Sequence, residues 1–520
     1  MTARDLVERT EQRRNDVSSL LDDKHRATWG QFFTPAPVAD FLADLIDLPA
    51  EGSFSLLDPG AGVGSLSAAV AAKAVREESK AAIRIVAFEA DEPLLPQLSE
   101  TLRDCEETAA AGGVALTTDL RPVDFVAWAS ASLRGSVFAT ADRFNACVMN
   151  PPYRKINSRG TDRLALESVG LKVTNLYAGF LGLGAALLEP GGQLSAITPR
   201  SFANGPYFLP FRRFFLERMR LDRLHVYERR GRVFADADVL QENVVLKATR
   251  SQERRVITLS VSEAHGDEPL SREVPHVSVV RPDDPMLFVH IPVDEADVRI
   301  AERVASLPAT LDDLRVKVST GRVVDFRARD HLLHDPDPDA APLIYPSHLR
   351  HGRVCWPVLD GRKPNALARN DETEGLLLPA EHYALVKRFT AKEERRRVVA
   401  AMFEPDDVPS PVVAVENHLN VYHRDGRGLP REIALGLVAF LNSSTVDTYI
   451  RQFSGHTQIN ATDLRLLRYP SLAQLTMLGG AADGADLGDQ AAVDALVAAY
   501  VPAFAESETA SAAGGDAAAS

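Results

Sequence analysis

Cysteine is scarce in this chain. The three residues, Cys105, Cys147 and Cys355, are far apart in a length of 520. No CxxC pair and no Cys/His cluster occurs, which excludes the common zinc-ligand spacings and a disulfide scaffold and fits a reducing cytoplasm. No metal site is expected. Long apolar runs are missing too. The longest, over residues 176–188, is broken by glycines and too short to span a bilayer. The opening stretch, MTARDLVERTEQRRNDV, is charged and helical in character and lacks the apolar core of a signal peptide. An excess of positive charge is absent as well. Lys and Arg number 58 against 72 Asp and Glu, a net charge of −14, which weighs mildly against a nucleic-acid partner for the chain as a whole. Phosphate contacts depend on local clusters, however, and two exist. Arg212, Arg213, Arg218, Arg220, Arg223, Arg229, Arg230 and Arg232 form the first; Lys387, Arg388, Lys392, Arg395, Arg396 and Arg397 form the second. Both are interleaved with acids, so a solvated, salt-bridged helix face competes with a phosphate-binding patch. No internal repeat is visible.

What is present is an alternation of strand and helix patterns. Strands are expected at 54–57, 83–88, 114–117, 144–149, 193–197 and 224–227. Helices are expected at 38–48, 66–75, 94–103, 176–188 and 211–219. That order implies a parallel, doubly wound α/β sheet. The pattern changes near residue 250 to short strand-like pieces (256–261, 277–280, 287–291) and an acidic, proline-rich loop at 334–342, followed by a helix at 432–441. Ala, Gly, Asp and Ser dominate a largely disordered tail expected from Gly479 onward, with one short amphipathic helix plausible at 491–504 and about the last fifteen residues expected to be disordered. The length fits about two to four domains. The expected layout is a helical segment over 1–29, a Rossmann-like domain over 30–250, a mixed α+β domain over 251–478 and a tail over 479–520.

Three features follow the expected strands in order. Asp58-Pro59-Gly60-Ala61-Gly62-Val63-Gly64-Ser65 joins the first strand to a helix. Its glycines let a ligand approach the backbone, but Ser65 replaces the last glycine of the dinucleotide fingerprint. Asp58 in front of the loop repels a pyrophosphate and attracts an ammonium group, a combination that suits S-adenosylmethionine. Glu89, in Phe88-Glu89-Ala90-Asp91, sits at the tip of the second strand, where an acid can accept from both ribose hydroxyls; Asp91 is read as a helix cap. Asp124 and Phe125 offer a carboxylate and a ring to an adenine, although an aspartate there is commonly a plain cap.

The fourth feature is Asn150-Pro151-Pro152-Tyr153, directly after the strand at 144–149. Asn150 offers an amide oxygen. Pro151 offers its carbonyl with a fixed φ, Pro152 stiffens the turn, and Tyr153 supplies a flat face. Two acceptors beside a ring suit the exocyclic amine of a planar substrate such as adenine or cytosine. A simple polyproline turn is the bland reading.

In this order the motifs GQFFTPAPVADFLADLI, LLDPGAGVGSL, AFEADEP, VDF, CVMNPPY and LEPGGQLSAITPRSF resemble the adenine-specific DNA methyltransferases of restriction–modification systems, in the TaqI-like architectural class. VSTGRVVDFR, KRFTAKEERRRVVAA, ENHLNVY and RQFSGHTQINATDLRLLRYP further resemble the PstI/BsuBI-type subgroup. The resemblance implies an S-adenosylmethionine-dependent sheet followed by a target-recognition domain, with N6 of an adenine flipped out of duplex DNA as the methyl acceptor. It also implies CTGCAG as the site and a cognate restriction endonuclease as functional partner. By the same resemblance Thr34 holds the cofactor carboxylate. Asp58, Gly60 and Gly62 surround its methionine part, Glu89 its ribose, and Asp124 with Phe125 its adenine. Asn150 and Pro151 accept from the target amine, and Tyr153 stacks on the base. Phe234 resembles a second stacking aromatic, with a place in the core as its alternative.

In the carboxyl-terminal half, Arg451, Gln452, His456, Gln458 and Asn460 are candidate base or phosphate readers, against a structural hydrogen bond at each. His418 and His423 are read as structural. The absence of a Pro-Cys nucleophile disfavours C5-cytosine chemistry. N4-cytosine methylation and methylation of a protein glutamine remain rival readings of the same platform. A fused nuclease lacks a convincing PD…(D/E)xK arrangement.

Overall fold

The computed structural model describes residues 2–20, 33–135, 142–157, 159–227, 243–262, 267, 269–292, 294–390, 394–453 and 458–505. The chain divides into two compact units, residues 1–293 and 294–520.

In the first unit, helices α1 (Ala3–Leu20) and α2 (Ala36–Asp44) precede strand β1 (Ser53–Pro59). Then come α3 (Ser65–Arg76), β2 (Ala82–Phe88), α4 (Leu95–Ala111), β3 (Leu116–Arg121), α5 (Phe125–Arg134) and β4 (Phe144–Met149). They are followed by α6 (Thr161–Glu167), α7 (Leu176–Leu187), β5 (Leu188–Pro199), α8 (Leu209–Leu216), β6 (Arg220–Tyr227), β7 (Asn243–Thr249), β8 (Ile257–Ser262) and β9 (Leu270–Val274). The nine strands form one sheet in the order β3-β2-β1-β4-β5-β7-β6-β8-β9. Strands β1 to β5 run parallel, and β7 runs antiparallel between β5 and β6.

Both faces of this sheet are covered, as a parallel sheet requires. Leu56, Ile85, Ala146, Val148 and Val245 pack with α1, α2 and α3 residues such as Leu6, Leu42 and Val70. Their strand neighbours Leu57, Val86, Cys147, Met149 and Leu246 pack on the other face with Phe125, Leu181 and Phe215 from α5, α7 and α8. This is the two-residue alternation of a strand, written in apolar residues on both sides. Helix α7 lies close on β4. A Cβ at Gly184 would stand 2.7 Å from Met149 Cε and 3.2 Å from Cys147 Sγ, so a larger residue there would have to displace the Met149 methyl.

Several expectations shift here. The sheet is not wholly parallel, because β7 enters between β5 and β6. The change expected near residue 250 falls at 293 instead, since β8 and β9 add to the first sheet. Residues 277–280, read as a strand, lie largely in a short helix, His276–Val279, which Pro275 opens. Helix α1 belongs to the first unit: Arg13 pairs with Asp104 at 2.6 Å, and Glu11 accepts from the Ala36 amide at 3.1 Å. Strand β5 starts at Leu188 opposite Phe144 and resumes its pairing at Gln193 opposite Ala146. The Pro-Gly-Gly between bulges from the sheet.

The second unit contains two smaller sheets. One has six strands in the order Lys317–Thr320, Leu419–His423, Tyr383–Lys387, Ala400–Phe403, Arg353–Val354 and Leu349–Arg350. The other has five, in the order Leu332–Leu333, Ala366–Leu367, Ala341–Ile344, Val412–Val415 and Leu377–Pro379. Helices Arg431–Leu441 and Leu472–Ala481 meet backbone to backbone, since a Cβ on Gly436 would lie 2.1 Å from the Leu475 carbonyl oxygen. Helix Gln490–Tyr500 follows, capped by Asp489, so the tail expected from Gly479 is helical over much of its described length. Among the described residues no single helix is long and apolar enough to cross a membrane.

Candidate active site

Strand β1 lies between β2 and β4, so the winding of the sheet reverses there. Ligands of open α/β sheets bind in the crevice outside the carboxyl ends of the strands at such a point. The loop leaving β1 has Gly60, Gly62 and Gly64 at φ +70°, +59° and +88°, a region that costs glycine nothing and other residues dearly. It is latched to β2. The Ala61 amide donates to the Phe88 carbonyl at 2.8 Å, and the Gly62 amide donates to Glu89 Oε2 at 2.8 Å. Glu89 Oε1 accepts from the amides of Ala90 and Asp91 at 2.9 and 2.8 Å. Burial pushes the Glu89 carboxyl upward, and these three amide donors oppose that shift.

The carboxyl ends of β1, β2, β3 and β4 open onto a cleft with about 870 Å³ of empty space, part of it open to solvent. Thr34, Gly60, Gly62, Glu89, Asp124, Phe125, Asn150 and Pro152 all line it. Phe33, Phe180 and Arg154 line it as well and escaped sequence reasoning. Phe33, next to Thr34 in GQFFTPAPVADFLADLI, has no polar atom to mark it in the sequence. Phe180 looked like one more core residue of an apolar helix. Arg154 follows the Asn-Pro-Pro-Tyr turn and pairs with Asp162 at 2.9 Å.

Asp124 is both a cap and a cleft residue: its Oδ1 accepts from the Ala127 amide at 2.7 Å at the start of α5. Phe125 meets Phe88 edge-on at 5.4 Å and Phe180 at 5.1 Å, which makes an aromatic wall. Asn150 Nδ2 donates to Thr34 Oγ1 at 3.1 Å. Pro151 is buried and, like Tyr153, is not among the residues that line this cleft. The Tyr153 hydroxyl donates to the Ile197 carbonyl at 3.4 Å, and its ring stands edge-on to Tyr177 at 6.3 Å. Tyr153 therefore stands toward β5 from Asn150.

Asp58 does not reach the cleft surface either. Its carboxyl is fully buried. Oδ2 accepts from Ser67 Oγ at 2.6 Å, and Oδ1 has no hydrogen-bond partner among the described residues. Burial pushes its pKa up to about 7; the Ser67 bonds oppose the shift and the Glu89 charge adds to it. A carboxyl whose folded value lies above its unfolded value contributes stability at low pH, and the contribution is lost as pH rises through the folded value. Ligand-free protein should therefore lose melting temperature between about pH 4 and pH 7 relative to Asp58→Asn, by several degrees. Parallel melting profiles for the two proteins across that range would refute this placement of the proton.

Of the two arginine clusters, Arg229, Arg230, Arg232 and Lys392 lie outside the described residues, and Arg212, Arg396 and Arg397 have partners inside the fold. Arg212 is 1% exposed and donates to the carbonyls of Met286, Phe202, Asn204 and Gly205 at 2.8–2.9 Å, so it clamps the segment after β5 and faces neither solvent nor phosphate. Arg396 donates to Gln490 and to the Leu487 carbonyl, and Arg397 to Thr390. Of the candidate readers, Arg451 pairs with Asp447 at 2.6 Å. Gln452 is 2% exposed and donates to the Asp297 carbonyl at 2.7 Å. Asn460 forms a capping box with Asp463, and Gln458 bridges to Phe389. His418 bonds Glu416, and His423 bonds Ser319 at 2.9 Å. Phe234 and His456 lie outside the described residues. No group of three or more potential metal ligands occurs among the described residues.

Residues 103–234 match the family model of the Eco57I restriction-modification methylase. The chain is 38% identical over 487 residues to the type II methyltransferase M.PstI of Providencia stuartii, covering 93% of this chain and 95% of that protein. It is 38% identical over 479 residues to the type II methyltransferase M.BsuBI of Bacillus subtilis, covering 91% and 93%. Among solved structures, the type IIL restriction-modification enzyme MmeI in complex with DNA is similar in fold, with a TM-score of 0.56 over 94% of this chain and 76% of that one at 11% identity. With this extent of shared sequence and a sheet whose crevice gathers the motif residues, the chain belongs to the type II restriction–modification DNA methyltransferases of the PstI/BsuBI kind, built on the S-adenosylmethionine-dependent methyltransferase fold with an additional carboxyl-terminal unit.

Proposed function

We propose that the protein methylates N6 of an adenine extruded from duplex DNA, within CTGCAG, using S-adenosylmethionine, and so shields bacterial DNA in the cytosol from a cognate restriction endonuclease. The observation that carries this reading is the position of Asn150 at the carboxyl end of β4, on the wall of the same cleft as Glu89 and Asp124. The carboxyl-terminal unit is assigned to recognition of the target sequence.

The cleft suits the cofactor. Gly60 and Gly62 carry no side chain where a Cβ would come within 3.4 Å of Phe180 and 3.5 Å of Phe33, so the loop backbone stays open to a ligand. Glu89 is fixed at the tip of β2 for two ribose hydroxyls, and the wall of Phe88, Phe125 and Phe180 suits a purine. Glu89 and Asp124 in the cleft disfavour a phosphate and favour a cation. S-adenosylmethionine, when bound, supplies the methyl group on its positively charged sulfur.

The residues of the chain do the rest. An adenine N6 is a weak nucleophile because its lone pair is delocalised into the ring, and it lies inside the stack until the nucleotide rotates out. The Asn150 amide oxygen and the Pro151 carbonyl accept the two amino hydrogens. That pulls the nitrogen toward a pyramidal shape with its lone pair free for in-line attack. Positioning and aligned dipoles supply most of the acceleration. The product nitrogen then sheds a proton, so no strong base is needed.

Tyr153 is assigned to the face of the extruded base. Tyr153→Ala should weaken binding of a duplex with an unpaired target adenine by roughly 10-fold or more, the loss expected for one stacking contact, and leave cofactor affinity little changed. Tyr153→Phe should keep most activity, because the ring face and not the hydroxyl is assigned to the base. A phenylalanine variant as inactive as the alanine one would remove the stacking role.

The deciding experiment is transfer of a labelled methyl group from S-adenosylmethionine to duplex DNA, with the modified base and its sequence mapped. Label on a cytosine N4 would select the cytosine reading of the same platform. Label on protein alone would select a glutamine acceptor.

A further inference from the structure

Thr34 and Asn150 are 116 positions apart, yet Asn150 Nδ2 donates to Thr34 Oγ1 at 3.1 Å, and both residues line the cleft. Thr34 is 6% exposed. It precedes Pro35, which restricts its backbone, and Pro35 itself starts α2 by accepting from the amides of Val38 and Ala39 at 3.0 Å. The hydroxyl is therefore held on a stiff support. Its oxygen accepts from Asn150, and among the described residues no atom accepts its proton.

An amide and a hydroxyl can pair in two ways. The hydroxyl oxygen can accept from the amide nitrogen, with its own proton directed elsewhere. Alternatively the hydroxyl can donate to the amide oxygen, with the amide turned over. Only the first leaves the Asn150 oxygen facing away from Thr34, where it can accept from an amine; the second would present the amide hydrogens to that amine, donor against donor. A cofactor carboxylate beside Thr34, where the family resemblance puts it, would accept and never donate at neutral pH, so it would take the Thr34 proton and exclude the second arrangement.

We propose that Thr34 is a positioning residue: its proton, drawn off by the carboxylate of the bound cofactor, locks the Asn150 amide with its oxygen toward the target amine, so that an occupied cofactor site prepares the base site. This rests on the methyltransferase reading above. It adds a coupling between the two sites, which by linkage must act in both directions.

The test uses the full-length protein, S-adenosylhomocysteine, which carries the same carboxylate, and a duplex bearing the methylation site mapped on the wild type. In the wild type, saturating S-adenosylhomocysteine should tighten DNA binding by about 10-fold, within the usual range of coupling between sites. Thr34→Val, equal in shape but without the hydroxyl, should reduce that tightening to below about twofold and lower kcat at saturating cofactor by roughly 10- to 100-fold, the effect of one directed hydrogen bond. Thr34→Ser should restore both to within about threefold of wild type, because it retains the hydroxyl. A valine variant that retains the tightening and the kcat, whatever its cofactor affinity, overturns the positioning role. So does a valine variant that binds no S-adenosylhomocysteine, because the hydroxyl would then serve the cofactor alone. A serine variant as defective as valine also overturns it. Failure of the wild type to methylate duplex DNA sinks the underlying reading instead, and is seen before any variant is made.

Discussion

Replacing Asn150 by alanine is expected to lower methyl transfer by roughly 10³-fold, the upper end for losing one preorganised polar group at a reacting centre, while cofactor affinity stays within a few-fold of wild type. The asymmetry follows from where the side chain points its polar atoms. Its nitrogen is committed to Thr34 at 3.1 Å. The oxygen is the acceptor assigned to the amine, and no backbone group of the glycine loop bonds to it. Truncation removes the acceptor and releases Thr34 without disturbing the Glu89 latch on Gly62. Binding of S-adenosylhomocysteine by calorimetry and single-turnover methyl transfer separate the two effects. Loss of both together would make Asn150 part of the cofactor site and not of the amine platform. Asn150→Asp is a harsher test of direction. A carboxylate cannot donate to Thr34, so it competes with the cofactor for the one hydroxyl proton; this variant should lose cofactor affinity where alanine does not.

The sequence made the site more legible than the fold around it, and the reason is local. Asp58, Glu89, Asp124 and Asn150 each stand at or just past the carboxyl end of a strand, and a short continuous apolar run announces its own end. The direction of a side chain is not announced. Asp58 reads as a cleft acid, yet its carboxyl turns inward to Ser67, because the last residues of β1 are buried on both faces. The same gap accounts for Arg212, which looks like part of a basic patch and is in fact enclosed by four carbonyls that the loop after β5 and the segment near Met286 bring to it. Strand β7 was missed because NVVLKAT is short and follows an irregular stretch, so only its neighbours β5 and β6 reveal its role. The readers assigned in the second unit met a similar fate. Gln452 and Asn460 belong to residue types that read bases and also cap helices and bridge loops, and spacing alone does not distinguish these uses.

Glu89→Ala is expected to weaken cofactor binding by at least about 100-fold, since two bonds to a charged acceptor are worth roughly 1.5–3 kcal/mol each, and to change kcat at saturating cofactor far less. Glu89 is 7% exposed and joins two parts of the cleft. One oxygen holds the Gly62 amide and the other holds the amides of Ala90 and Asp91. Removing it unlatches the glycine loop from β2 and deletes the acceptor assigned to the ribose. Both losses act on binding, so the defect should appear in KM and in the dissociation constant and not in the chemical step. Glutamine is an informative control. It retains the reach but turns an N–H toward one set of backbone donors, so it should recover only part of the affinity. Acidification should mimic the defect in the wild type. Burial raises the Glu89 pKa, and the protonated form loses an acceptor oxygen, so affinity for S-adenosylhomocysteine should fall as pH is lowered and the fall should be absent in Glu89→Ala. An alanine variant whose affinity lies within threefold of wild type would detach Glu89 from the cofactor and leave it as a loop latch only. A large drop in kcat at unchanged affinity would mean that the glycine loop positions the reacting methyl group and does not merely hold the ligand that carries it.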